Sequence, residues 1–101
     1  MQIRINEKEN YYKNFNFIYR KYDKLNKGFL TNDLCIKFFE EIYEILKNEK
    51  NFYFKNESKN DFTLIMLSNV ETNDKNILIY HQLSELFCNN KIMESLSTVK
   101  I

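Results

Sequence analysis

Residues 23–34 read D-K-L-N-K-G-F-L-T-N-D-L, and the organisation of the chain follows from them. They contain the only glycine of a 101-residue chain that has no proline. A lone Gly among so few breakers marks a sharp turn, because only Gly enters the left-handed backbone region without a steric penalty. Upstream, Tyr11, Phe15, Ile18, Tyr19 and Tyr22 recur at intervals of three and four, which predicts a helix from about Glu7 to Tyr22. Downstream, Leu34, Cys35, Phe38, Phe39, Ile42, Tyr43 and Leu46 form a cleaner stripe, with Glu40, Glu41, Glu44 and Lys47 on the wet face. A second helix is therefore expected from about Asn32 to Asn48.

Further out, the pattern repeats. Asn48 to Asn60 is polar apart from Phe52-Tyr53-Phe54 and reads as a linker. Three adjacent aromatics cannot all point inward, so at least one is expected to cover the domain or meet a partner. A third helix is expected from about Asp61 to Asn69, capped by Asn60 or Asp61. A polar loop follows, then the strand-like Ile77-Leu78-Ile79, then a last helix from about Tyr80 to Leu96.

The first loop resembles the calcium loop of the EF-hand family. Such a loop binds through positions 1, 3, 5, 7, 9 and 12 and turns on a Gly at position 6. Asp23 stands at position 1, Gly28 at 6 and Leu30 at 8, where the family carries an aliphatic residue that pairs two loops. The second loop fits as residues 71–82, E-T-N-D-K-N-I-L-I-Y-H-Q, with Glu71 at position 1, Asn73 at 3, Asn76 at 6 and Leu78 at 8. Asn tolerates the left-handed turn better than other non-Gly residues, so Asn76 stands in for the glycine. The resemblance implies an all-α fold of four main helices, with Leu30 and Leu78 pairing as short antiparallel strands. It divides one domain into a first hand at about 8–47, a linker at 48–60 and a second hand at 61–96.

Calcium requires six to eight oxygens, two of them from a carboxylate at position 12. That position holds Leu34 in the first loop and Gln82 in the second, and position 5 holds Lys27 and Lys75. Calcium binding is not expected. If any weak site existed, its ligands would be Asp23, Thr31, Glu71 and Asn73. Lys27 and Lys75 are instead expected to bond loop acids in place of the ion.

The remaining composition excludes several classes. Fifteen basic residues face fourteen acidic ones, which argues against a strong grip on nucleic acid or an anionic membrane. There is no apolar run long enough to span a bilayer, and the polar residues 1–10 carry no signal-peptide core, so a cytoplasmic setting is expected. The absence of Ala and the wealth of Asn, Lys and Ile are typical of AT-rich protist genomes. Cys35 and Cys88 both read as small core residues. His81, the sole histidine, lacks a nucleophile partner and reads as a surface or capping residue, and no catalytic set can be assembled. The resemblance then implies a calcium-independent light-chain-like or adaptor subunit. Its partner would be an amphipathic helix, such as an IQ-like segment of a motor or cytoskeletal heavy chain, held by Phe38, Phe39, Ile42, Met66, Phe87 and Met93. A calcium sensor with atypical ligation and a purely structural subunit are the alternatives.

Overall fold

The computed structural model describes residues 5–70 and 77–100. Five helices and one two-stranded antiparallel sheet occur among them, in the order α1 (Ile5–Tyr22), β1 (Phe29–Thr31), α2 (Asn32–Leu46), α3 (Lys59–Ser68), β2 (Ile77–Ile79), α4 (Tyr80–Asn89) and α5 (Ile92–Thr98). The sheet pairs Phe29 with Ile79, Leu30 with Leu78 and Thr31 with Ile77, and the Leu30–Leu78 pair is the one that the resemblance implies. Leu30 and Leu78 are the residues of the sheet that point fully inward, so the register sets both leucines on the core face. One further bond, from the Tyr80 N–H to the Gly28 carbonyl, extends the pairing toward α4 (2.9 Å).

The stripe of α1 buries Tyr11, Phe15, Ile18 and Tyr19, and that of α2 buries Cys35, Phe38, Phe39, Ile42 and Leu46. These faces meet α4 through aromatic rings. Phe15 lies 5.6 Å from Phe38 and 5.5 Å from Phe87, both edge to face, while Phe38 and Phe87 stack at 5.7 Å. Edge-to-face and offset contacts of this kind add to the free energy of simple burial.

Residues 47–58 are more than a linker. Hydrogen bonds from Glu49 to Leu46, Phe52 to Glu49, Lys55 to Phe52 and Glu57 to Phe54 wind the segment into successive tight turns. Phe52 and Phe54 are buried and Tyr53 is exposed. The two buried rings join Phe62 of α3 in a second aromatic cluster, at 5.6 and 5.4 Å, and Tyr43 lies 5.9 Å from Phe52. The Tyr43 hydroxyl donates to the Glu57 carbonyl (2.6 Å), which ties the turns to α2.

Three local expectations need correction. The cap of α3 is Ser58, whose hydroxyl accepts from the Asp61 N–H at 3.1 Å, so the helix starts earlier than Asn60 or Asp61 would place it. Secondly, the last helix is two helices, broken at Lys91 (φ 65°). At 100° per residue an unbroken helix would set Ile92 about half a turn away from Leu83. The break turns Ile92, Met93 and Leu96 back into the core. Finally, Cys88 is exposed on α4, and only Cys35 is buried.

Two side chains secure α5 after this break. Asn14 donates from Nδ2 to the carbonyls of Leu96 (2.7 Å) and Val99 (3.0 Å). Ser95 donates to the Asn51 carbonyl (3.0 Å). The pairs α1 with α5 and α2 with α3 form the most extensive helix contacts.

Candidate functional site

The first loop begins where α1 ends, and Asp23 organises it. The Asp23 side chain is buried in spite of its charge. Its Oδ1 accepts from the Lys27 N–H and its Oδ2 from the Gly28 N–H, both at 2.8 Å. A buried carboxylate needs such partners, because desolvation without them costs several kcal/mol. Asn26 (φ 53°) and Gly28 (φ 83°) take left-handed backbone, which brings the two amides round to face the carboxylate. A Cβ on Gly28 would meet nothing within 4 Å, so glycine is needed here for its backbone freedom and not for space.

The other loop side chains turn elsewhere. Leu25 is 76% exposed. The Lys27 ammonium lies 5.9 Å from the centre of the Phe29 ring and makes no ion pair with a described acid; it is the backbone N–H of Lys27 that reaches Asp23. The Thr31 hydroxyl caps α2, accepting from the Leu34 N–H at 3.4 Å. Among the described residues, no three His, Cys, Asp or Glu side chains converge as metal ligands. Glu71, Asn73, Lys75 and Asn76 lie outside the described residues. Gln82, at the twelfth place of the second loop, turns to the backbone, where its Oε1 accepts from the Ile79 N–H (3.2 Å).

The six residues expected along a partner groove are all inside. Phe38, Phe39, Ile42, Met66 and Phe87 have no exposed surface and Met93 has 7%. Phe87 contacts Phe39 as well as Phe38, and the rings close the space between α2 and α4. The described fold therefore presents no open groove at these residues. Comparison of the chain with family models, with curated proteins and with solved structures found no match.

Of the wet-face acids, Glu44 is exposed and pairs with Lys47 (2.8 Å) and Lys59 (3.2 Å). Those partners hold its carboxyl below the usual carboxylate range. Glu41 does more than face solvent, since it accepts from Lys21 (2.6 Å) and from the Tyr22 hydroxyl (2.5 Å), joining the end of α1 to α2. His81 is on the surface and pairs with Glu85 (3.0 Å).

A surface not foreseen from the pattern lies on the outer side of the first loop. Tyr22, Leu25, Phe29 and Leu34 line a concavity of about 580 Å³ whose rim carries Lys21, Lys24, Lys27 and Lys37. Lysines at 21, 24 and 27 recur every three residues, but the end of α1 separates them and Lys37 comes from α2. Periodicity alone therefore does not group them.

The two thiols differ in a measurable way. Burial pushes the Cys35 thiol from an ordinary 9.0 up to about 12. A thiol reagent at pH 8 is expected to label Cys88 in the folded protein and Cys35 only on unfolding, as read by mass spectrometry. Equal labelling rates would contradict this arrangement. Tyr22 is likewise pushed up to about 12, first by burial and then by the Glu41 carboxylate. In both groups folding favours the neutral form, so the unfolded chain loses these protons first. Their contribution to stability is intact below about pH 9 and is lost progressively as pH rises towards 12.

Proposed function

We propose that this chain is a pair of EF-hand units whose state does not depend on calcium, serving as a light-chain-like or adaptor subunit of a larger motor or cytoskeletal protein. The observation that carries the reading is the Asp23 carboxylate, both of whose oxygens are taken up by backbone N–H groups of its own loop. A loop organised in this way needs no ion to reach its folded shape. The reading is also supported by the antiparallel pairing of Leu30 with Leu78, the pair that the resemblance implies.

The partner in this reading is an amphipathic helix, and Phe38, Phe39, Ile42, Met66, Phe87 and Met93 receive it once α2 and α4 part. The enclosure of all six favours a second reading, in which the chain is a structural subunit whose core never opens. Affinity capture from the source cells, identification of the retained chain and calorimetry with its binding segment separate the two. The first reading expects equal affinity in calcium and in chelator, with shifts of the Met66 and Met93 methyl resonances on binding. Retention of a partner with those methyls unmoved favours the structural subunit. Binding that requires calcium overturns both.

A further inference from the structure

We propose that the concavity beside the first loop is a docking site for an acidic peptide segment with apolar anchor residues. This does not depend on the EF-hand reading, because it rests on the outward side chains of the first loop and of Lys37 and not on the residues that would receive a partner helix.

The floor is apolar. Tyr22, Phe29 and Leu34 are half-buried, while Leu25 is 76% exposed at the edge of the floor. A leucine held in water forfeits the free energy that burial would supply, about 25 cal/mol for each Å² covered. Isolated exposed leucines are common, but this one sits on a concavity with three other apolar side chains, a combination that marks binding surfaces.

The rim fixes the charge of the occupant. Lys21 is already tied to Glu41, but Lys24, Lys27 and Lys37 form no ion pair with any described acid. Among the described residues the one acid in the lining is Asp23, and its oxygens accept from the amides of Lys27 and Gly28. Three ammonium groups without a described acid partner thus surround one apolar floor on a chain whose net charge is only +1. Carboxylates complement this field, and a second basic segment is repelled by it. A peptide fits better than a bilayer. The apolar residues line a hollow and do not form a protruding face.

The test begins with a phage library of random twelve-residue peptides selected on the folded protein. The recovered sequences are expected to combine Asp or Glu with Leu, Ile or Phe. A synthetic copy is expected to shift the amide resonances of Leu25, Phe29, Leu34 and Lys37, and to weaken as salt rises. Reversing Lys24, Lys27 and Lys37 together to Glu should reduce its affinity at least tenfold, and Leu25→Ser should reduce it several-fold. Reversing Lys13, Lys50 and Lys55 should leave affinity within twofold. No enrichment, enrichment of basic peptides, shifts on another face, or equal loss in the two triple variants would each overturn the proposal. So would binding to vesicles of phosphatidylcholine and phosphatidylserine that survives the Lys24, Lys27 and Lys37 reversal while acidic peptides fail to bind.

Discussion

Phe15→Ala is expected to destabilise the protein by about 4 kcal/mol, close to the whole stability of many domains of this size. Phe15 has no exposed surface and stands at the centre of the larger aromatic cluster. Its ring lies within 6 Å of five others, Tyr11, Tyr19, Phe38, Tyr80 and Phe87, which come from α1, α2 and α4. Alanine removes the ring from all of them at once. The space cannot close easily, because the neighbours are themselves held. The Tyr11 hydroxyl donates to the Ser84 carbonyl (3.2 Å), and that of Tyr80 to the Asn16 side chain (2.5 Å). The cost therefore includes a residual cavity as well as lost transfer free energy. In a chain of this length the melting temperature should fall by roughly 20 °C, read by far-ultraviolet circular dichroism. Phe17→Ala is the control. Phe17 lies two residues further along the same helix, with 54% of its surface exposed, and its loss should change stability by less than about 0.5 kcal/mol. A Phe15→Ala protein that melts within a few degrees of the parent would show that the cluster is not packed as described.

This cluster also shows how far the sequence carries. The pairing of Leu30 with Leu78 is what the resemblance of the two loops implies, whereas the stripes of α1 and α2 follow from intervals of three and four. Such signals are local, so one sequence contains them. The split between α4 and α5 is different. No Gly or Pro marks it, and Lys91 enters left-handed backbone because Ile92, Met93 and Leu96 must reach α1 from the wrong helical phase. That is a demand of tertiary packing. The same applies to Phe52 and Phe54, which are buried because Phe62 and Tyr43 lie beneath them. At the candidate site, Asp23 is legible as the first residue of a turn. The two amides that saturate it are not, since their direction depends on the backbone angles of Asn26 and Gly28. The lysine-rimmed concavity draws on a helix end, a loop and the next helix, and no periodic pattern spans all three.

Asp23→Ala should lower stability by about 2 to 3 kcal/mol, and calcium should neither cause nor repair the loss. The carboxylate accepts two charge-assisted bonds, from the N–H groups of Lys27 and Gly28. Bonds to an ionised partner contribute about 1.5–3 kcal/mol each, and the exposure of Lys27 and Gly28 lets water recover part of that. Asp23→Asn keeps an acceptor and should lose about half as much. Gly28→Ala acts on the same loop through backbone strain alone and should cost about 1 kcal/mol. The calcium arm gives the experiment its functional weight. A ligand present at a thousand times its dissociation constant stabilises the folded state by about 4 kcal/mol, so a micromolar calcium site in 1 mM calcium would raise the melting temperature by well over 10 °C. The parent protein should instead melt within about 1 °C in calcium and in chelator, because the oxygens of Asp23 already have their partners. A rise of several degrees in the parent that Asp23→Ala abolishes would mean that the ion displaces those amides, and the calcium-independent reading would fall.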